Sequence, residues 1–368
     1  MRVALVHDYL FEQGGAENVF EIFAGMFPTA PLYTAIYAPE TVSDTFRGRD
    51  IRTSFLQRVT TDKRRAKALL PLYPRAFNRM KVRDCDVVLS SSSSFAKGID
   101  VGDALHVCYC HTPPRFLWQT DRYIEQHRGR LTRTAVHVAA GMLRHQDRRD
   151  AANVDHFIAN SRVTQERIRR MYGREATVIN PPIHCDEFHV ADEIAPYFLV
   201  VSRLLPYKRI DIVIEACNRL RLPLVVVGDG PDRARLAAMA GPTVTMRGRL
   251  PRTEVRAHLA RCRALVMPGE EDFGLTPLEA NASGRPVIAY QAGGALETVV
   301  EGRTGWFFDA QTATSLMPVL AHVAVDMPLQ THALRAHARR FDVSVFRAAV
   351  LRVLHAARAG QYGALDAA

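Results

Sequence analysis

Two charged pairs and one histidine are the residues best able to do chemistry in this chain. Arg203 and Lys208 lie in Ser202-Arg203-Leu204-Leu205-Pro206-Tyr207-Lys208-Arg209, just ahead of a helical pattern starting at Ile210. Arginine offers phosphate a planar fork and lysine a mobile point charge. A cation at a helix start opposes the dipole by roughly 0.3–1 kcal/mol, so this placement points to an anionic partner. A solvated basic loop is the plainer alternative. Glu271 and Glu279 bracket Asp272-Phe273-Gly274-Leu275-Thr276-Pro277-Leu278. Carboxylates accept hydrogen bonds from sugar hydroxyls. Thr276 suits an N-cap and Pro277 a first helical position, which puts the amides of Phe273, Gly274 and Leu275 at a helix mouth that favours phosphate. Thr276-x-x-Glu279 also reads as a capping box, a purely structural role. His111 follows an apolar run and precedes Thr112-Pro113-Pro114; the competing reading is a structural histidine at a loop corner.

The elements that must position these residues repeat one grammar. Arg2–His7 reads as a strand, Gly14-Gly15 as a loop and Ala16–Phe27 as a helix. Strands are expected at Asp86–Ser90, Ala104–Cys110 and His156–Ala159, with a helix over Leu131–Asp150. The pattern restarts at Tyr197–Val201 and alternates strand and helix through Pro286–Tyr290, including a helix over Pro277–Ser283. Such alternation implies parallel sheets. The seam is expected at Asn180-Pro181-Pro182-Ile183, and a last helix over Val345–Ala357. Expected domains are residues 1–182, 183–344 and a C-terminal segment 345–368 packing back toward the first. Two doubly wound domains bind ligands at the carboxyl ends of their strands, in the cleft that they face.

Composition limits the partners. The chain has 368 residues, 48% hydrophobic and 23% charged, which excludes wholesale disorder. No apolar run approaches the ~20 residues of a membrane span. The first residues lack a secretory signal's apolar core, and the six cysteines form no disulfide or zinc framework, so a reduced, cytoplasmic protein is expected. Of the net charge of +10, residues 1–180 carry +8, from 27 Lys and Arg against 19 Asp and Glu. Eight bases and no acid fall between Lys63 and Arg83.

Taken together, Ser202-Arg203-Leu204-x3-Lys208-Arg209 and Glu271-x7-Glu279 resemble the family 4 glycosyltransferases, which have the GT-B fold: α/β, two Rossmann-like domains facing across a cleft. Gly14-Gly15-Ala16-Glu17, Val227-Gly228-Asp229-Gly230-Pro231, Arg247-Gly248-Arg249-Leu250 and Gly293-Gly294-Ala295-x-Glu297 support the likeness, which covers nearly the whole chain. The resemblance implies sugar transfer from a nucleotide-sugar with retention of anomeric configuration, no essential metal and no cofactor. It implies that Arg203 and Lys208 hold the donor diphosphate, Glu279 the ribose, and Glu271 the transferred sugar. The amides near Phe273, Gly274 and Leu275 would meet sugar and phosphate, and Gly248, Arg249 and Leu250 would pass the base. Gly14 and Gly15 would let the first loop approach the reacting sugar. The chain departs from many relatives in carrying Asp272 where they have glycine. The segment Cys108–Trp118 is similar to that of bacterial transferases building surface polysaccharides, several of them mannosyltransferases. That likeness assigns His111 to the donor sugar and makes GDP-mannose the preferred donor, with UDP-sugars open.

Leu69, Leu70, Leu72, Tyr73, Phe77 and Met80 interleave the bases of the Lys63–Arg83 segment. Basic amphipathic stretches suit an anionic membrane surface, which a lipid-linked acceptor requires and a saccharide acceptor does not. This implies a peripheral position at the inner face of the cytoplasmic membrane; an ordinary solvated helix face is the alternative. Pro71 and Pro74 limit the segment to two short helices. The rival functions are weaker. An oxidoreductase needs G-x-G-x-x-G after the first strand, which Gly14-Gly15 lacks. A sugar-nucleotide epimerase would share the fold. A nucleic-acid binder needs more stacking aromatics in the basic stretch than Tyr73 and Phe77.

Overall fold

A computed structural model describes residues 1–12, 14–118, 130–325 and 330–360. The chain divides into two compact units. Met1–Asn180 and the residues from Arg347 onward form unit 1; Pro181–Phe346 form unit 2. The division falls at the Asn180–Pro181 step, inside the expected seam.

Unit 1 is built on a seven-stranded sheet: β1 (Val3–His7), β2 (Leu32–Thr34), β3 (Ile51–Thr53), β4 (Val87–Ser92), β5 (Leu105–Cys110), β6 (His156–Ala159) and β7 (Ala176–Val178). The order is β3-β2-β1-β4-β5-β6-β7, with every pairing parallel. Val3, Ala4, Leu5 and Val6 are all buried, as an apolar run covered on both faces requires. The helix Gly15–Met26 packs Val19, Phe20, Ile22 and Phe23 inward. Good capping marks the helix Arg162–Tyr172: Ser161 Oγ accepts from the Thr164 amide, and Gly173 closes the end in the left-handed region.

Unit 2 repeats the plan with six parallel strands: β8 (Phe198–Val201), β9 (Leu224–Val227), β10 (Val244–Gly248), β11 (Ala264–Met267), β12 (Val287–Tyr290) and β13 (Gly305–Phe308). Their order is β10-β9-β8-β11-β12-β13. Helices Ile210–Leu220 and Ala313–Val325 supply Ile212, Val213, Leu316 and Leu320 to the core around Phe198 and Val226. In each sheet the strand order reverses beside the first strand, at β1/β4 and at β8/β11. Loops diverge there and leave room for a ligand at the carboxyl edge.

The long strand and helix expectations agree with the structure to within a residue or two. The helix expected over Pro277–Ser283 runs Thr276–Ala282 with Leu275, not Thr276, at its N-cap. Strands β2, β3, β7 and β13 carried no sequence expectation. β2, β3 and β7 have three residues each, too few to show a period, and β13 opens on a glycine and is only partly buried, so it is not an aliphatic run. The basic segment forms helices Lys63–Ala68 and Tyr73–Asn78 joined by a 3-10 turn at Leu70–Leu72, with Pro74 in the first turn of the second. The side chains of Lys63, Arg64 and Lys67 lie outside those described. Among the described residues, no helix is long and apolar enough to cross a membrane.

Candidate functional site

In unit 2, the loops after β8, β9, β11 and β12, the end of β10 and the helix Thr276–Ala282 carry the residues expected to meet the donor. Two of them are stitched together by backbone hydrogen bonds: Ser202 N to Val227 O at 3.1 Å, Leu204 N to Asp229 O at 3.0 Å and Asp232 N to Leu204 O at 3.1 Å. The contact is so close that a Cβ on Gly228 would lie 1.8 Å from the Ser202 carbonyl oxygen. This fixes the backbone that bears Arg203, whose side chain is exposed and makes no hydrogen bond or ion pair among the described residues. Lys208 ends the 3-10 turn Pro206–Lys208, and Arg209 takes φ 51° before the helix Ile210–Leu220. Arg209 is tied to Asp211 at 3.2 Å, so it is the neighbour that is neutralised locally.

Lys208 Nζ donates to the Glu271 carboxylate, with both side chains largely shielded from solvent. The residues chosen from sequence as diphosphate and sugar contacts therefore meet across β8 and β11. The loop bearing Glu271 is held from behind by Gly293-Gly294. The Gly294 amide donates to Glu271 O at 2.9 Å, and a Cβ there would lie 2.1 Å from Phe273 Cα. Gly274 adopts φ 88°, a conformation glycine allows cheaply. The Phe273 ring is buried in the unit 2 core, so only its backbone can serve a ligand.

Glu279 makes no side-chain hydrogen bond among the described residues, and its helix has no side-chain cap. The capping-box reading is therefore not realised: with the helix starting one residue earlier, Leu275 O takes the Glu279 amide instead. Burial pushes the Glu279 carboxyl above its ordinary range, opposed by Arg252 and Arg256. A half-buried carboxylate with unused acceptors is suited to hydroxyl donors. Gly248 ends β10 at φ 71°, and its carbonyl accepts from Gly228 N at 2.8 Å. Arg249 is exposed and Leu250 packs partly on the core.

In unit 1, Gly14 is the N-cap and Gly15 the first residue of the helix after β1. His111 follows β5 directly. The residue is 9% exposed, Nε2 lies 2.8 Å from Ser91 Oγ, and its amide donates to Ser92 O at 2.9 Å. Burial, then the nearby His7, pushes its pKa down to about 3, so the ring is neutral near pH 7. Sequence reasoning missed the residues around it. His7, at the end of β1, touches Ser91, and Glu17 lies 3.7 Å from His7 Nε2. Asp8 accepts the amides of Ser93, Phe95 and Ala96 at 2.6–2.9 Å, anchoring the loop after β4. The signal was the strand-end position of His7-Asp8 opposite the serine tract, visible only once β1 and β4 are paired. His7 joins the Gly14-Gly15 turn to His111 through Glu17 and Ser91.

Among the described residues, no group of three or more His, Cys, Asp or Glu is placed to hold a metal ion. Asp86, in Asp84-Cys85-Asp86 ahead of β4, accepts the Arg2 amide at 2.8 Å, which holds its carboxyl below the usual range.

Comparison with known proteins accounts for both units. The Glycosyltransferase Family 4 model matches residues 13–187, and the Glycosyl transferases group 1 model matches residues 186–336. The chain is similar to a GDP-mannose-dependent alpha-mannosyltransferase of Mycolicibacterium smegmatis, 36% identical over 41% of this chain and 38% of that protein. It is also similar to a D-inositol 3-phosphate glycosyltransferase of Streptomyces avermitilis, 30% identical over 52% of this chain and 49% of that one. The chain thus spans about two-fifths to one-half of the length of the curated relatives it matches. Among solved structures, Anabaena HepE in complex with UDP is 18% identical with a TM-score of 0.68, covering 97% of this chain and 100% of that one. Sucrose-phosphate synthase from Thermosynechococcus elongatus is 16% identical with a TM-score of 0.73, covering 98% and 100%.

Proposed function

Because this chain belongs to the family 4 glycosyltransferases, with their GT-B fold, we propose that it transfers a sugar from a nucleotide-sugar to an acceptor with retention of anomeric configuration. The observation that carries the reading is the Lys208–Glu271 pair beside the exposed Arg203 at the β8/β11 switch point. As the donor bond breaks, negative charge grows on the leaving diphosphate. Arg203 and Lys208 neutralise it, and Glu271 holds Lys208 in place until the donor arrives. Preorganised donors aimed at such charge are each worth ~2.7–4 kcal/mol. Glu279 takes the ribose hydroxyls, Gly248-Arg249-Leu250 pass the base, and the amides of Phe273–Leu275 serve sugar and phosphate. In unit 1, His111 and the Gly14-Gly15 loop serve the transferred sugar. The diphosphate itself accepts the acceptor's proton in a front-face displacement, with no metal or cofactor required.

GDP-mannose is the proposed donor, supported by the segment around His111 and by relatives described as GDP-mannose-dependent. The proposed acceptor is a lipid-linked or oligosaccharide precursor of a surface polysaccharide, met at the inner face of the cytoplasmic membrane. A thermal-shift screen of GDP, UDP and their sugars tests the donor. Stabilisation follows RT ln(1 + [L]/Kd), about 2.7 kcal/mol at a hundredfold excess over Kd. A clear shift with GDP and GDP-mannose is expected; a shift with UDP alone rejects GDP-mannose.

A further inference from the structure

We propose that Ser91 and His7 are positioning residues that lock His111 in the neutral tautomer carrying its proton on Nδ1, making it a hydrogen-bond donor to the transferred sugar rather than a base. The inference rests on the reading that His111 serves that sugar.

His7 and Ser91 are register partners on β1 and β4, at the carboxyl edge of the sheet. His7 Nδ1 lies 3.0 Å from Ser91 O and 3.1 Å from Ser91 Oγ. A carbonyl oxygen only accepts, so Nδ1 of His7 carries a proton. Ser91 Oγ receives part of that bond and has one proton of its own to place. Among the described residues, the other polar atom within hydrogen-bond reach of it is Nε2 of His111 at 2.8 Å. Were His111 to donate from Nε2, the Ser91 hydroxyl proton would be buried with no acceptor. Ser91 therefore donates to Nε2, and the single proton of the neutral His111 ring sits on Nδ1.

The His7 ring cannot turn easily. It stacks on Phe20 at 4.7 Å with an interplanar angle of 17°, and Glu17 Oε1 stands 3.7 Å from its Nε2. Glu17 belongs to the first turn of the helix that Gly14 caps, so the glycine turn and His111 are linked through one line of side chains. His111 packs edge-on against Tyr109 at 5.1 Å, and its Nδ1 makes no hydrogen bond among the described residues. A ring held this way presents N–H to a sugar oxygen, a task that needs no change of protonation during turnover.

The test is long-range 1H–15N correlation of the histidine side chains in the intact, ligand-free protein, with the His111 signals assigned by their loss in His111→Asn. The expected wild-type spectrum shows His111 protonated at Nδ1 and bare at Nε2. Ser91→Ala should move the proton toward Nε2, while Ser91→Thr, which keeps the hydroxyl, should hold it on Nδ1. Ser91→Ala should also lower kcat by about tenfold to a hundredfold with donor KM little changed, with Ser91→Thr restoring it. A wild-type His111 protonated at Nε2, or a Ser91→Ala spectrum unchanged from wild type, overturns the proposal. Full activity in His111→Asn with the expected spectrum would instead remove His111 from the transfer step while leaving its tautomer as stated, so the two readings fail separately.

Discussion

Arg203 and Lys208 differ in how they are held, and that difference is testable. Lys208 is shielded and bonded to Glu271, whereas Arg203 reaches into solvent without a protein partner among the described residues. Arg203→Ala should therefore cost activity alone, with kcat falling about 10²–10³-fold and the melting temperature unchanged. Lys208→Ala should lower kcat similarly and also destabilise unit 2, because Glu271 loses its counter-charge; Lys208→Ala together with Glu271→Gln should recover stability and not turnover. Steady-state rates and melting curves on the three variants decide this, and near-normal turnover in both single variants removes the diphosphate assignment. Glu279 gives a pH dependence. Its folded-state carboxyl is raised above the ordinary value, so folding disfavours its ionised form. The penalty is absent below the ordinary carboxylate range, sets in as pH rises past the ordinary value, grows up to the raised value, and is complete above it. Glu279→Gln should thus raise stability near neutral pH, leave it unchanged in acid, and weaken nucleotide binding. Unfolding curves at the two pH values check the sign.

At the scale of elements, the site loops are built by glycines that do opposite jobs. Gly228 and Gly294 are places where two backbones touch: an added Cβ would lie 1.8 Å from Ser202 O in one and 2.1 Å from Phe273 Cα in the other. No rotamer relieves a clash with backbone, so Gly228→Ala and Gly294→Ala should destabilise unit 2 by well over ~1 kcal/mol. Gly15 is different. It is the first residue of a helix, and nothing lies within 4 Å of its would-be Cβ. Gly15→Ala should leave stability equal or improved by up to ~1 kcal/mol. Any loss of turnover in that variant then reports ligand space and not folding. Denaturant unfolding of the three variants makes the comparison; a stable Gly294→Ala would show that the Glu271 loop is not held from behind as described.

For the molecule as a whole, the surplus of positive charge sits in unit 1, and part of it lies beside exposed apolar side chains. Phe55 (37% exposed), Val59 (59%) and Leu72 (43%) accompany the exposed Arg58, Arg75 and Arg79, and Arg79 lies over the Phe55 ring at 5.9 Å. Bases near an anionic bilayer are each attracted by about 1 kcal/mol, and the apolar rings and chains add burial in the interface. Flotation with phosphatidylglycerol vesicles should carry the protein upward at low salt and not at high salt. Arg75→Glu with Arg79→Glu should abolish flotation while leaving transfer to a soluble acceptor intact. No flotation of the wild-type protein returns the segment to an ordinary solvated surface.

Most of the alternating strands and helices, though not β2, β3, β7 and β13, were legible in the sequence, because buried parallel strands are apolar runs and half-buried helices keep a 3.6-residue period. The sequence also singled out the candidates for donor contact in unit 2. Arg203, Lys208, Glu271, Gly274 and Glu279 belong to segments, at the ends of β8 and β11 and in the first turn of the helix Thr276–Ala282, whose residue types are unusual enough to read without coordinates. The sequence could not show that Lys208 bonds Glu271, since they stand 63 positions apart in the chain and only the pairing of β8 with β11 closes that distance. Nor could it choose between the capping box and a carboxylate with free acceptors at Glu279. That choice depended on a helix starting one residue early, at Thr276, which propensity does not resolve. The setting of His111 lay furthest from reach. His7, Ser91 and His111 come from three strand ends, and a run of serines has no period that announces a functional contact. Parallel strands bring together residues far apart in the chain according to register alone, so the chemistry at their carboxyl edge is decided by tertiary structure even where every strand is legible.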